Sequence, residues 1–177
     1  KTLNIAIPGF GNVGQHIARL LWQRQAAYRE RYATDVRLVG VCRSRSGLLG
    51  TQGLNESDVL GAEFVPDLSG EAFLQGLQAD VLIDAGPSDF ETGGMGLVYM
   101  RHALNTGMHV IAVSKGALAL HGPELLQTAT AHGVQVWVSG ATAAALPTVD
   151  FVQRQLAGCE VLEIEGIFTG TANFILN

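Results

Sequence analysis

The 177-residue sequence contains only two cysteines, Cys42 and Cys159, and both lie inside apolar runs. Two such cysteines do not form a disulfide framework or a metal-binding pattern, so we expect buried free thiols in a reducing compartment. Positive charge is also scarce, because 11 Lys and Arg stand against 16 Asp and Glu, for a net charge of −5. A nucleic-acid-binding surface needs a basic field, and we therefore expect no nucleic-acid partner.

Long hydrophobic runs are also missing, since no apolar stretch approaches the roughly 20 residues that cross a bilayer. The first residues, Lys1-Thr2-Leu3, do not resemble the start of a signal peptide. We therefore expect a cytoplasmic protein with no membrane contact. Glycine, in contrast, is abundant at 22 residues. Such an excess is typical of tight turns and of backbone that a ligand approaches closely.

Strand and helix patterns alternate along the chain. Nearly continuous apolar strands separated by helices indicate a parallel sheet that is covered on both faces. Right-handed crossovers then favour a doubly wound, Rossmann-type α/β fold. We interpret residues 44–69, rich in Gly, Ser, Thr and Gln, as a surface loop with one short helix. The predicted strands are residues 4–7, 36–42, 81–83, 109–113 and 134–138, and helices are predicted after residue 9 and over residues 92–105, 123–131 and 148–156.

A glycine pattern follows the first predicted strand and opens the first predicted helix, which is the context that a dinucleotide-binding G-x-G-x-x-G motif requires. Gly9 permits the tight turn, Gly11 lets the backbone approach a pyrophosphate, and Gly14 allows close packing of helix and strand. The helix N-terminus would stabilise the phosphate charge. The alternative is a glycine-rich turn that binds nothing. The predicted cofactor-binding residues of this turn are Gly9, Phe10, Gly11, Asn12, Val13 and Gly14.

The second predicted strand ends in Arg43-Ser44-Arg45-Ser46. NAD-selective sites usually place a carboxylate at this position, where it binds the ribose 2′-hydroxyl. No acid stands here, whereas Arg43, Ser44 and Arg45 suit the 2′-phosphate of NADP, which arginine can bind with two hydrogen bonds. We therefore predict NADP as the preferred cofactor, with NAD as the other candidate. The alternative is a solvated basic loop.

Three further segments carry a family resemblance. The first is I-D-A-G-P-S-D-F-E-T-G at residues 83–93, which leads through a helix to H-V-I-A-V-S-K-G-A-L-A-L at residues 109–120. The second is S-G-A-T-A-A-A-L-P at residues 139–147. The third and most specific is E-G-I-F-T-G-T-A-N-F-I-L at residues 165–176. In order and spacing the chain resembles the homoserine dehydrogenases over essentially its whole length.

The resemblance implies an NAD(P)-dependent oxidoreductase that interconverts L-aspartate 4-semialdehyde and L-homoserine in threonine and methionine biosynthesis, and a homodimeric full-length protein. Gly86, Pro87 and Ser88 match the turn beneath the nicotinamide, and Ser114 matches a further cofactor contact. Lys115 matches a lysine beside cofactor and substrate, where it would act catalytically by polarising the aldehyde oxygen. The resemblance implies that four residues near the end of the sequence bind substrate: Thr169, Gly170, Thr171 and Asn173.

The residues alone leave other interpretations of these positions open. Lys115 could be a surface lysine at a strand end, where most lysines lie. The segment over residues 169–173 could be a polar turn without a ligand. Another NADP-dependent semialdehyde or dihydrodipicolinate-type reductase would share the phosphate turn but would not explain the third segment. A non-catalytic dinucleotide-binding module is the alternative from a different functional class.

The chain departs from the family pattern at Ser139, where many members have Glu, and at Ala143 and Ala145, where they have Gly. In the family this loop supplies carbonyl oxygens to a monovalent cation, and we assign no metal here. The family's substrate-binding acids and catalytic Asp/Lys pair follow the third segment. We therefore expect an NAD(P)-binding domain over residues 1–147, the incomplete start of a substrate-binding and dimerisation domain over residues 148–177, and a fragment that is inactive by itself.

Overall fold

The computed structural model describes residues 1–142 and 148–166. In this part of the chain the strands are β1 (Thr2–Pro8), β2 (Asp35–Cys42), β3 (Ser46–Leu49), β4 (Val65–Pro66), β5 (Val81–Asp84), β6 (His109–Ala112) and β7 (Val136–Trp137). They form one sheet in the order β4-β3-β2-β1-β5-β6-β7. β1 pairs in parallel with β2 on one side and β5 on the other, and the parallel pairing continues through β6 to β7. The chain therefore reverses its direction of winding at β1 and β5.

Helices connect the parallel strands and cover the sheet. The described helices are α1 (Asn12–Gln23), α2 (Gln25–Tyr32), α3 (Glu56–Leu60), α4 (Gly70–Gln75), α5 (Gly94–Asn105), α6 (Gly116–Ala131), α7 (Ser139–Thr142) and α8 (Thr148–Asp150), which continues into a π-helical turn over Phe151–Gln155. α1 and α2 connect β1 to β2, and α5 connects β5 to β6. Since α1 and α5 belong to crossovers that leave in opposite directions, they lie on opposite faces of the sheet.

Each face of the sheet has its own apolar core. On the first face, the inward side chains of β1 and β2 pack around Ala18 of α1, which is fully buried. On the second face, Leu82 of β5 lies among Phe73 of α4, Met100 of α5 and Leu125 of α6, and all four are fully buried. Two buried faces confirm the doubly wound, Rossmann-type architecture expected from the sequence.

A β-bulge interrupts the pairing of β2 with β1. The register slips by one residue between Leu38 and Gly40, so that Val39 is an additional residue of β2. Side chains normally alternate between the two faces of a strand. Because of the bulge, Cys42 lies in the core on the α5 face although Leu38 lies in the core on the α1 face. The bulge therefore determines the face of the sheet on which each side chain at the end of β2 lies.

The segment over residues 44–69 differs from the predicted surface loop. It contains the one short helix that was expected, α3, but also the strands β3 and β4, which pair antiparallel at one edge of the sheet. Gly47 allows this close return of the chain, because a Cβ there would lie 2.3 Å from the Leu68 carbonyl oxygen. The polar composition of this stretch concealed both strands, so the expectation of an entirely parallel sheet was wrong at this edge.

The helix predicted over residues 123–131 begins earlier, at Gly116. Pro123 lies within α6 and does not start it. A proline inside a helix lacks the N–H group that would bond to the preceding turn, and this makes it a poor marker of where the helix begins. The helix α2 was not predicted, and β7 is shorter than the predicted strand over residues 134–138.

Other expectations have mixed outcomes. Cys42 is buried as expected, but Cys159 is exposed, which corrects the prediction that both thiols are buried. Cys159 lies in a turn after the π-helical segment, where residues 157–166 are all exposed, so its apolar sequence neighbours do not enclose it. Gly107 follows the end of α5 with φ of +83°, as predicted for a helix C-terminus. Over residues 1–142 and 148–166, no helix is long and apolar enough to cross a membrane.

Candidate dinucleotide site

The turn that follows β1 contacts the turn that follows β5. The Ala85 N–H donates to the Pro8 carbonyl oxygen at 3.0 Å, and a Cβ on Gly9 would lie 2.2 Å from the backbone nitrogen of Gly86. The two turns stand where the strand order reverses, at the carboxyl ends of parallel strands. Ligands of open α/β sheets bind at this position.

Gly9 adopts a φ of +86°, a left-handed conformation that favours glycine. The N–H groups of Gly9 and Phe10 both donate to the Cys42 carbonyl oxygen, at 3.0 and 2.9 Å. These bonds attach the turn to the end of β2. The hydrogen bonds that attach the turn to β2 are therefore made by backbone groups.

The start of α1 opens onto a cleft, which is lined by residues 9–13, 43–44 and 85–87. A Cβ placed on Gly11 would meet no atom within 4 Å, and Gly11 is the N-cap residue with no side-chain hydrogen bond to the helix. No acidic residue lies in the first helical turn. The first amides of a helix have no partner within it, so this end presents donors and a positive dipole to an anion. The start of α1 therefore has the features of an anion-binding helix N-terminus.

Gly14 has a different role from Gly11. It is buried, and a Cβ there would lie 2.6 Å from the Gly9 carbonyl oxygen, which is too close for any side chain. The glycine lets α1 pack directly on the turn. The third glycine of the motif is thus explained by packing, while the second faces the cleft.

The remaining residues of the predicted turn contribute unequally. Phe10 borders the cleft, but its side chain is buried and lies near Phe64, with ring centroids 6.1 Å apart. Its backbone is the part available to a ligand. Asn12 and Val13 are exposed at the start of α1 and line the cleft. All six predicted residues of the turn therefore lie together.

At the end of β2, Arg43 and Ser44 line the cleft, whereas Arg45 does not. The guanidinium carbon of Arg43 lies 4.1 Å from the centre of the Phe64 ring. The Arg43 N–H donates to the Ser46 carbonyl oxygen at 2.7 Å and closes the turn into β3. Of the two predicted arginines, the structure brings only Arg43 to the site.

Beside the phosphate turn lies a cavity of about 300 Å³, bordered by the ends of β1, β2 and β5 and by the first turns of α4 and α5. Its lining includes Arg43, Ser44, Gly86 and Pro87, all predicted from the sequence. The structure adds residues that the sequence analysis did not identify, and these are Ser69, Gly70, Asp84, Asp89, Gly94, Met95, Gly96 and Tyr99.

Asp84 is the last residue of β5 and is fully buried. Its carboxylate accepts hydrogen bonds from the Ser114 hydroxyl and from the Gly86 N–H, the latter at 3.3 Å. Burial raises the pKa of Asp84 above its usual range, although the Ser114 bond opposes the shift. Gly96 accommodates this carboxylate, since a Cβ there would lie 2.9 Å from Asp84 Oδ2. An acid directly after an apolar strand was the signal that could have identified Asp84.

Ser114 was predicted to contact the cofactor. It follows β6, its side chain is buried, and its hydroxyl donates to Asp84. Its observed contact is therefore within the protein. Ser114 connects the end of β5 to the start of α6.

Tyr99 lies on α5 at the inner end of the cavity. Its hydroxyl accepts a hydrogen bond from the Gly70 N–H at 3.0 Å and lies 3.4 Å from the Cys42 sulfur. Burial raises the pKa of both Tyr99 and Cys42, so both groups are neutral near pH 7. Sequence reasoning missed Tyr99 because its helical spacing matches that of an ordinary core residue.

The predicted nicotinamide turn and Lys115 lie together. The Lys115 N–H donates to Ser88 Oγ at 2.9 Å, and Lys115 is the N-cap residue of α6 with an exposed side chain. Gly116 packs against the same turn, because a Cβ there would lie 1.9 Å from the Asp89 carbonyl oxygen. Backbone N–H groups of Glu91 and Thr92 donate to Asp89, and these bonds lower the pKa of Asp89. The turn after β5 thus contacts the start of α6 through the Ser88 hydrogen bond and the packing of Gly116.

Some sequence predictions lie outside the described residues. They include Thr169, Gly170, Thr171 and Asn173, the loop over residues 143–147, and the domain boundary placed at Pro147. Their proposed roles stay predictions.

Residues 9–139 match the family model described as homoserine dehydrogenase, NAD binding domain. The chain belongs to this family. The match covers the phosphate turn, the end of β2, the turn after β5 and the start of α6. It confirms the resemblance recognised from the sequence.

Relatives of known name agree with this assignment. The chain is 29% identical to a homoserine dehydrogenase of Methanocaldococcus jannaschii over 98% of its own length and 55% of the relative. It is 28% identical to an NAD(+)-dependent homoserine dehydrogenase of Pseudomonas canavaninivorans, over 97% of this chain and 52% of that protein. A crystal structure described as a putative homoserine dehydrogenase of Archaeoglobus fulgidus superimposes with a TM-score of 0.83 at 31% identity, covering 98% of this chain and 53% of that one. The chain thus spans about half the length of the relatives it matches.

Proposed function

We propose that this chain is the cofactor-binding part of a homoserine dehydrogenase, which interconverts L-aspartate 4-semialdehyde and L-homoserine with a nicotinamide dinucleotide. The observation that carries the proposal is the open helix start at Gly11, which stands beside the turn after β5 in a chain of this family. The bound cofactor would accept or supply the hydride. The residues of this chain would bind and orient it.

The geometry supports one orientation of the cofactor. The start of α1, where backbone donors are available, would hold the pyrophosphate. Arg43 and Ser44 at the end of β2 would hold the adenosine end, and the turn over residues 86–88 would hold the nicotinamide end. The close contact of Gly9 with Gly86 fixes the turn after β1 against the turn after β5.

Lys115 is the proposed catalytic cation. Its backbone is anchored on Ser88 while its side chain is exposed, and over residues 1–142 and 148–166 its ammonium forms no ion pair. A charged donor on a fixed backbone can stabilise the negative charge that develops on the substrate oxygen during hydride transfer. The predicted substrate contacts of Thr169, Gly170, Thr171 and Asn173 belong to the same proposal.

We propose NADP as the preferred cofactor and NAD as the weaker one. Arg43 lines the cleft at the end of β2 and has no ion-pair partner in the described parts of the chain. A free guanidinium suits the additional phosphate of NADP. The name of the Pseudomonas relative shows that NAD dependence also occurs among similar proteins, so the proposal of NADP for this chain rests on Arg43.

We further propose that the complete enzyme is a cytoplasmic homodimer of threonine and methionine biosynthesis, with no nucleic-acid or membrane partner. The net charge of −5 disfavours nucleic acid. Leu162 and Ile164 are 86% and 64% exposed after α8, and an apolar surface of this kind supports coverage by further protein.

Calorimetric titration of this chain with NADPH and NADH tests the cofactor part of the proposal. We expect binding of both, with NADPH tighter. The reaction is tested on the complete product of the open reading frame, by NADP⁺ reduction with L-homoserine. Binding of the nucleotides without turnover would favour a non-catalytic dinucleotide module. If a folded sample bound neither NADPH nor NADH, the proposal would be refuted.

A further inference from the structure

Two aromatic rings and a guanidinium form a row at the end of β2. The Arg43 guanidinium carbon lies 4.1 Å from the centre of the Phe64 ring, and the Phe64 ring lies 6.1 Å from the Phe10 ring at an angle of 33°. Phe10 belongs to the phosphate turn and is only 3% exposed. Phe64 packs against the core on the α1 face. The row therefore connects Arg43, through Phe64, to a buried side chain of the phosphate turn.

Arg43 is placed between this aromatic support and the cleft. Its guanidinium carbon lies over the Phe64 ring, and Arg43 also lines both the cleft beside residues 9–13 and the 300 Å³ cavity. Its backbone is held by the bond to Ser46. A cation–π contact does not use the N–H donors of a guanidinium for conventional hydrogen bonds, so these donors stay available to a phosphate.

An exposed arginine side chain has many rotamers, and ordering it on binding weakens affinity. A cation–π contact with Phe64 reduces the number of orientations before the ligand arrives. Glu63 lines the same open depression as Arg43 and Phe64. An arginine that left the Phe64 ring would find this carboxylate as a competing partner.

The geometry points to Phe64 as a positioning residue for cofactor selection: it holds Arg43 so that the guanidinium edge meets the 2′-phosphate of the dinucleotide. This inference rests on the proposed cofactor function and names the determinant of its selectivity. Phe64 lies 21 positions after Arg43, in the segment that the sequence predicted as a loop, and only the return of the chain through β3 to β4 brings them together.

The experiment measures the dissociation constants of NADPH and NADH for the wild type, Phe64→Leu and Phe64→Tyr. Leucine keeps an apolar side chain but has no aromatic face, whereas tyrosine keeps the face. We expect Phe64→Leu to weaken NADPH binding roughly two- to fivefold, the size of a cation–π contact at a surface site. NADH binding should stay unchanged in Phe64→Leu, and NADPH binding should stay unchanged in Phe64→Tyr.

A double-mutant cycle with Arg43→Ala shows whether Phe64 acts through Arg43. In the Arg43→Ala background, Phe64→Leu should have no further effect on NADPH binding. Equal loss of NADPH and NADH affinity in Phe64→Leu, an unchanged NADPH affinity in that variant, or a full effect in the Arg43→Ala background would each overturn the inference. Each of these results would leave the proposed function intact. The proposed function fails on a different result, namely that the wild type binds neither nucleotide.

Discussion

The Ser114 hydroxyl donates a hydrogen bond to the Asp84 carboxylate, and both side chains are buried where β5 and β6 end. The Gly86 N–H donates to the same carboxylate, and Ser88 accepts the Lys115 N–H. The Ser114 bond thus joins the end of β5 to the residue before Lys115, and the Lys115 bond joins the turn after β5 to the start of α6. This arrangement positions the proposed catalytic lysine relative to the proposed nicotinamide turn.

Asp84 should make stability depend on pH. Burial raises its folded-state pKa above the ordinary value of 3.8, so the folded state binds a proton more readily than the unfolded state. The free energy of unfolding should therefore fall as pH rises from the ordinary carboxyl pKa through the raised one. We expect this decline in the wild type by urea unfolding at a series of pH values, and expect it to be reduced in Asp84→Asn.

The amide side chain of the Asp84→Asn variant could still accept from Gly86 and donate to Ser114, so the hydrogen bonds survive without a titrating group. Asp84→Ala serves as the contrasting variant, because it leaves the Ser114 hydroxyl and the Gly86 N–H without their partner. It should be destabilised at every pH by about 1–3 kcal/mol or more. An Asp84→Asn protein with the full wild-type pH slope would contradict the assignment to this carboxyl.

Two glycines of the phosphate turn should respond differently to alanine. Gly9→Ala requires a left-handed backbone and places Cβ 2.2 Å from the Gly86 nitrogen, so we expect a loss of more than about 3 kcal/mol of stability. Gly11→Ala meets no atom within 4 Å and should fold normally. Its methyl group would instead occupy the space into which the pyrophosphate fits.

Gly11→Ala should therefore weaken binding of NADPH and NADH alike, by about tenfold or more, which corresponds to about 1.4 kcal/mol. Thermal unfolding measures the loss of stability in Gly9→Ala, and calorimetry measures the nucleotide affinity of Gly11→Ala. If Gly11→Ala bound both nucleotides as tightly as the wild type, the pyrophosphate could not lie at the start of α1.

The two arginines after β2 provide a matched pair. Arg43 lines the cleft and Arg45 does not, although both are exposed and carry the same charge. Arg43→Ala should lower the ratio of NADPH to NADH affinity by about tenfold, as expected for one charge-assisted contact. Arg45→Ala should change that ratio by less than about twofold, as expected for an exposed charge at longer range. Equal effects of both substitutions would indicate a general electrostatic field rather than a specific contact.

Lys115 should affect turnover more than cofactor binding. Its bond to Ser88 is made by the backbone, so Lys115→Ala removes the ammonium group and its aliphatic stem but leaves the donor of this bond in place. In the complete enzyme we expect kcat to fall about 100-fold or more, as when one donor to a developing oxyanion is lost. Lys115→Arg keeps the positive charge and should retain more activity than alanine. Full turnover by Lys115→Ala would remove this residue from the mechanism.

Local patterns in the sequence were sufficient for several features. The motif of Gly9, Gly11 and Gly14 predicted a strand, a turn and a helix in the correct order, because Gly9 and Gly14 answer steric demands of adjacent backbone and Gly11 leaves the start of the helix open. Gly107 predicted the end of α5 for a similar reason. The Rossmann-type fold and the family resemblance rested on such local signals, and both are confirmed.

Features that depend on distant parts of the chain were not predictable in this way. The edge strands β3 and β4 are only four and two residues long, and they form because β2 offers hydrogen-bonding groups to β3, which in turn pairs with β4. The position of Asp84 after an apolar run marked it as a residue at a strand end, but its burial depends on Gly96 of α5 and on Ser114, which come from distant parts of the chain.

The amino-acid sequence by itself determined the alternation of strands and helices and the glycine turn at the start of α1, because both follow from interactions between near neighbours. Only the tertiary structure decided that Arg43, and not Arg45, faces the cleft and that Phe64 supports it. The β-bulge at Val39 changes which face of the sheet each later side chain of β2 occupies. Such a shift arises from pairing with β1, so no periodicity within β2 alone could reveal it.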